Sequence, residues 1–159
     1  MSELRLRLAR VEDAPAITVL ARRVVRRWII PHQPRAGVLA LEEGLSTPII
    51  RAKILAGQRF HLAFVDGVLA GIAAVRDDRH VFQLFVGTRY QGRGIARKLW
   101  HRLRRDCMRR AGTRVFTLNA ALAAVPVYLR LGFVRDDDPR RKPGKVLSMP
   151  MIFRAGRHS

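Results

Sequence analysis

At 159 residues the chain is most simply one domain, 1–159, with a proper core, and no run of about 18 apolar residues marks a membrane span. Its single cysteine, Cys107, excludes an intramolecular disulfide and a thiolate metal cluster; with no signal-peptide core after Met1, a cytoplasmic setting is expected. The net charge of +19, overwhelmingly arginine, narrows the partners it would favour to nucleic acid, an acidic membrane surface or acidic substrates.

Leu4 to Leu8 alternates apolar and basic residues, as a half-buried strand does. Glu12, Asp13 and Pro15 then start a helix whose apolar positions, 17, 20, 21, 24, 25 and 28, follow a helical period until Pro31 and Pro34 break it. A short helix is expected over Leu39–Leu45. A second, capped by Thr47-Pro48, is expected to run to Ala56 and stop at Gly57. Phe60–Val65 and Val68–Val75 flank Asp66-Gly67, a strong hairpin signal. Asp77-Asp78 turns the chain into a strand, His80–Val86, which is followed by helix 95–111, strand 114–119 and helix 122–131. Strands near 133–136 and 145–153, joined by the basic loop Asp136–Lys145, close the chain. Antiparallel strands first and a strand-helix-strand unit after predict an α/β fold with a mixed sheet and helices on both faces.

The arginines fall on helix faces. Arg22, Arg23, Arg26 and Arg27 lie opposite Ile17, Leu20, Val24 and Trp28, and the basic residues of helix 95–111 lie mainly off its Ile95, Leu99, Leu103, Cys107 stripe. Both read as outer faces of amphipathic helices. No aromatic–basic interleaving marks a nucleic-acid groove, so nucleic acid is not the favoured partner.

Gln91-Gly92-Arg93-Gly94-Ile95-Ala96 sits between the strand 80–86 and the helix 95–111. Glycine lets backbone approach a phosphate closely, and the free N–H groups and dipole of a helix start favour an anion there. A dinucleotide fingerprint would need a third glycine where Arg97 stands, and an acidic residue where the next strand ends in Asn119. A Walker loop would need a Lys-Ser/Thr pair after its second glycine, which is absent.

What the turn does resemble is the Q/R-x-x-G-x-G/A pattern of the GCN5-related N-acetyltransferases (GNAT superfamily), carried by Gln91, Gly94 and Ala96. The stretch Asn119 to Phe133 is similar to that family's second signature: a strand ending in Asn, a short helix bearing Tyr128, and a stop at Leu131-Gly132-Phe133. The resemblance covers Arg59–Phe133 well. It divides the chain into an acceptor-side region, 1–58, an acetyl-CoA-binding core, 59–133, and C-terminal strands and tail, 134–159.

The resemblance implies a mostly antiparallel sheet whose parallel central pair, 80–86 and 114–119, splays apart around acetyl-CoA as co-substrate. It implies transfer of the acetyl group directly to a primary amine. Gln91, Gly92, Arg93, Gly94, Ile95 and Ala96 would hold the pyrophosphate. Main-chain groups of Leu84, Phe85 and Val86 would meet the pantetheine arm and polarise the thioester carbonyl. Tyr128, a phenol that stays protonated near neutral pH, would be the general acid that protonates the thiolate. Asn119 would bind the cofactor arm or, read from the residues alone, cap the helix that follows.

For the general base, His80 is a candidate, expected on the strand face of Phe82, Leu84 and Val86, with an ordinary pKa suited to the task. Glu42, Glu43 and a water chain are alternatives. His32, His61 and His101 show no partner pattern, Cys107 reads as core, and no metal-ligand spacing is present. A small-molecule or peptide amine is the expected acceptor. Arg35, Arg140, Arg141, Lys142 and Lys145 suggest that it carries a carboxylate or phosphate. A homodimer is left open, as is a basic nucleic-acid-binding or regulatory module that keeps the fold without transferase activity.

Overall fold

The computed structural model describes residues 2–138, 140–142 and 144–156. Positions 139 and 143 of the basic loop and 157–159 of the C-terminal tail lie outside the described residues. Seven strands form one sheet in the order β1-β2-β3-β4-β5-β7-β6. They are β1 (Leu4–Leu8), β2 (Arg59–Val65), β3 (Val68–Arg76), β4 (His80–Val86), β5 (Val115–Ala120), β6 (Val134–Arg135) and β7 (Met149–Arg154). The β4–β5 pair is parallel and the others are antiparallel. The mixed sheet with helices on both faces is the expected fold.

The two faces carry separate cores. On one, α4 (Ile95–Ala111) buries Ile95, Leu99, Trp100, Leu103 and Cys107 against Phe116, Phe133 and Phe153. Trp100 sits 5.2 Å from Phe116 and 5.1 Å from Phe153, edge to face, a geometry that suits the ring quadrupoles. Truncating so large a buried side chain costs about 3–5 kcal/mol. On the other face, α1 (Ala14–Val24) and α3 (Thr47–Leu55) cover Phe60, Leu62, Ile72 and Ala74.

The Asp66-Gly67 hairpin forms as expected, with φ of 49° and 81° at its two turn residues. Several boundaries differ from expectation. Ser46, not Thr47, caps α3, because its hydroxyl accepts from the Ile49 N–H. The helix α2 starts at Arg35, on Pro34, and ends at Gly44. The first helix does not stop at Val24 but widens into a π turn over Val25–Ile29, followed by a 3₁₀ turn over Ile30–His32. The helix expected over 122–131 is a 3₁₀ turn, Leu122–Ala124, and then α5 (Val125–Arg130). The strand expected from 145 begins at Met149, because 145–147 pack against α2. There Gln33 clamps Leu147 from both sides, Nε2 donating to its carbonyl at 2.8 Å and Oε1 accepting from its N–H at 2.7 Å.

Candidate active site

The site begins where the sheet forks. β4 and β5 pair only at His80–Thr117 and Val81–Leu118, and beyond these residues they part. On the β3 side, Gly87 donates to the Ala70 carbonyl at 2.8 Å. Antiparallel ladders alternate, so Phe85 engages β3 while the main-chain groups of Leu84 and Val86 turn toward the fork. The Val86 carbonyl accepts from Gln91 Nε2 at 3.1 Å, which ties the end of β4 to the glycine turn.

That turn is built for backbone exposure. Gly92 and Gly94 adopt φ of 80° and 77°, where a side chain is strained, and Gln91 to Gly94 are all exposed. Gly94 precedes α4 without a capping side chain, and the first helical bond is Lys98 N to Gly94 O at 3.1 Å. The N–H groups of Ile95, Ala96 and Arg97 therefore face outward at the positive end of a 17-residue helix. Arg89 and Arg93 flank Tyr90, each guanidinium 5.5 Å from its ring centre, adding positive charge beside the turn.

Tyr128 is held by the end of its own helix. Gly132, at φ 102°, and Phe133 close a Schellman motif: Phe133 N–H reaches the Tyr128 carbonyl at 3.0 Å and Gly132 N–H the Leu129 carbonyl at 3.1 Å. The accompanying apolar contact is Tyr128 against Phe133, ring centres 5.9 Å apart. Tyr128 packs on the α4-side core, as do Leu84 and Val86. Burial pushes its phenol up to about 12.

His80 lies elsewhere than expected. Val75 pairs with Val81 but Ala74 pairs with Gln83, so Phe82 is an extra residue, a β-bulge. The bulge reverses the side-chain alternation. Leu84 and Val86 join the α4-side core, Phe82 and Phe85 join the α1-side core, and His80 stands on the α1 side. His80 thus shares a face with Phe82 but not with Leu84 and Val86. Its Nδ1 is 2.8 Å from Thr117 Oγ1 on the neighbouring strand. Burial first, then the charges of Arg76 and Arg141, hold its pKa below the usual histidine value.

Asn119 is exposed on β5, opposite Pro150 of β7, with its side chain on the face of Thr117. It does not cap the following helix, since Ala121 and Ala124 occupy the cap positions. Glu42 and Glu43 are exposed on the last turn of α2, whose opposite end meets residues 145–147. The structure thus brings Leu84, Val86, Gln91–Ala96 and Tyr128 to one side of the fork and His80 and Asn119 to the other. The bulge and Thr117 had no signature in the sequence beyond the polar Thr at a strand position alternating with Phe116 and Leu118. Among the described residues no group of three or more His, Cys, Asp or Glu could hold a metal, and no helix is long and apolar enough to cross a membrane.

Among the described residues the site is therefore a seven-stranded sheet forked at its one parallel pair, with an uncapped helix start at the mouth. The family model of the acetyltransferase (GNAT) domain matches residues 32–154, and the chain belongs to this family. Its structure is similar to a GCN5-related N-acetyltransferase from Rhodopseudomonas palustris, with a TM-score of 0.81 at 21% identity over 97% of both chains. It is similar also to the PaiA N-acetyltransferase of Thermoplasma acidophilum in complex with coenzyme A, with a TM-score of 0.79 at 16% identity over 96% of this chain and 99% of that one. A third similar structure is yncA of Salmonella typhimurium, a putative acetyltransferase with acetyl-CoA, at TM-score 0.63 and 25% identity over 99% and 96% of the chains. No curated protein matches the sequence at a significant level.

Proposed function

We propose that the chain transfers the acetyl group of acetyl-CoA directly to a primary amine, in the cytoplasm. The observation that carries this reading is the uncapped start of α4 behind two left-handed glycines, placed at the mouth of the fork with Tyr128 on the same side. These residues fit a pyrophosphate followed by an extended, amide-bearing arm: exposed N–H groups for the one, the main-chain groups of Leu84 and Val86 for the other. The PaiA and yncA structures, with coenzyme A and acetyl-CoA, support the choice of co-substrate.

Acetyl-CoA supplies an activated thioester; the chain positions it and moves protons. A main-chain N–H in the fork polarises the thioester carbonyl, and one such donor is worth about 3–4 kcal/mol of barrier. Neutral His80 takes the proton of the incoming amine. Its Nδ1 is engaged by Thr117, which orients the ring and leaves Nε2 for the amine. Because its pKa lies below 6.5, His80 is unprotonated at neutral pH. On the other side of the sheet, Tyr128 keeps its proton at every physiological pH and donates it toward the departing sulfur. Base and acid thus stand on opposite faces, and the reacting carbonyl lies in the gap between them.

The acceptor enters from the α1 face. Arg141 and Arg76 are close enough to depress the pKa of His80, and they favour an amine that also carries a carboxylate or phosphate. Calorimetric titration with acetyl-CoA tests the donor: micromolar to sub-millimolar binding is expected, and none at millimolar concentration would overturn the reading. A screen of amino acids, polyamines, aminoglycosides and N-terminal peptides tests the acceptor. Turnover of polyamines alone would remove the anionic preference.

A further inference from the structure

The bulge in β4 buries a side-chain amide, Gln83, whose oxygen has no partner among the described residues. Gln83 is 4% exposed, and its Oε1 is buried without a hydrogen-bond partner. A buried amide oxygen is costly to leave unmet, and each such orphan asks for an explanation, of which a ligand group that completes the set is one. Its position is informative. Gln83 pairs with Ala74, which packs into the α1-side core, so its side chain lies on the face of His80 and Phe82. It stands two residues past Val81, where the pairing of β4 with β5 ends. His80, Gln83, Thr117 and Asn119 are therefore the polar residues that β4 and β5 present on this face at the fork, and none of them is a carboxylate.

Resting on the acetyltransferase reading, we propose that Gln83 is the acceptor-binding residue of the site, its Oε1 accepting an N–H of the amine to be acetylated. A neutral amide is the right chemistry for this place. A carboxylate there would hold the acceptor as an ammonium ion by raising its pKa, whereas an amide binds the N–H and lets His80 remove the proton. Because Oε1 is buried, the side chain must turn toward the fork to meet a ligand, and a slim, unhindered amine asks the smallest such movement. A primary amine with two N–H groups on a methylene meets Oε1 and still directs its lone pair at the thioester carbon; a quaternary ammonium has no donor for it.

The test is the side-chain amide signal of Gln83 in nitrogen–proton correlation spectra, assigned by its loss in Gln83→Leu. Ethylammonium chloride is titrated into the free chain and into its coenzyme A complex, with tetramethylammonium chloride as the control. A saturable displacement by ethylammonium and none by tetramethylammonium is expected. No displacement by ethylammonium, or equal displacement by both, overturns the proposal. Coenzyme A binding is read separately from the backbone amides of 91–96, so failure of the acetyltransferase reading is distinguishable from failure of this one. Gln83→Leu removes an unmet polar atom and is expected to melt at the same temperature or a few degrees higher. A fall of more than a few degrees would show a structural partner and also overturn the proposal. With an amine that the wild type acetylates, Gln83→Leu raises its KM at least tenfold and leaves the KM for acetyl-CoA within twofold. Gln83→Glu shifts the acid limb of the pH profile upward, an effect that a packing role would not produce.

Discussion

The two faces of β4 are built by different means. On the α4 face the site is backbone: two left-handed glycines, an uncapped helix start, and strand amides turned into a fork, with one side chain, Tyr128, fixed by a helix-ending motif. On the α1 face it is side chains: the parallel register sets His80 beside Thr117 on the face of Asn119, and the bulge turns Gln83 to join them. Under the proposed function, the backbone groups serve an acyl donor common to every acceptor, and the side-chain face is left to recognise the amine. Side chains vary without disturbing the sheet, which suits a face that must recognise one particular amine.

The division is broken most directly at Tyr128. Tyr128→Phe is expected to lower kcat by about 10²–10³, some 3–4 kcal/mol, while the KM for acetyl-CoA stays within twofold. Thiol release in steady state measures it, and an unchanged kcat would take Tyr128 out of the acid role. On the other face, His80→Gln should lower kcat/KM about 10²-fold. The wild-type profile rises on an acid limb below pH 6.5, because burial and two arginines depress the imidazole, and then stays flat through neutrality. Loss of that limb in His80→Gln identifies the group; a limb that persists assigns it to another base, Glu42 or Glu43 among them.

The α4 face was legible because its determinants are local. Gly92, Gly94 and Gly132 declare left-handed backbone by residue type, and Asn119 to Phe133 spells out strand, turn, helix and stop within 15 residues. The α1 face was not, because one inserted residue reverses every side chain after it, and Phe82 looks in sequence like any other strand residue. Expected alternation put His80 with Leu84 and Val86 for that reason. Thr117, its partner, is 37 residues away, and nothing local links the two. The π turn at Val25–Ile29 was invisible on similar grounds: its residues keep a helical period.

The α4 face also carries a smaller, pH-dependent contribution to stability on β2, two strands from β4. His61 is 1% exposed, with Nε2 3.5 Å from Asp106 Oδ2, and Asp106 is itself held by Arg59 at 2.7 Å. Burial, and to a lesser degree Arg102, Arg59 and Arg110, outweigh the attraction of Asp106 and depress the imidazole to about 4. Between about pH 4 and 6.5 the unfolded chain therefore binds the proton and the folded chain does not, so stability falls as pH falls through this window. Urea unfolding at pH 7 and pH 4.5 should differ by about 2–3 kcal/mol more in the wild type than in His61→Phe. Asp13, whose pKa Arg7 holds below 3.8, titrates beneath this window and does not mimic it. Equal slopes in the two chains would show that His61 is already charged in the fold.

The finest test of the comparison is at Gly132, where stability and catalysis should separate. Its φ of 102° strains any side chain by about 1–2 kcal/mol, and an added Cβ would stand 3.0 Å from Phe153 Cε2. Gly112, at the end of α4, has φ 67° and open space around it, so alanine there meets the backbone strain alone. Gly112→Ala should lose about 1–2 kcal/mol, a fall of some 3–6 °C in Tm, and Gly132→Ala at least as much. Only Gly132→Ala should also lower kcat several-fold, because the two hydrogen bonds that end α5 are what fix Tyr128. Equal kcat in the two variants would mean that packing against Phe133, and not the left-handed turn, sets the position of the phenol.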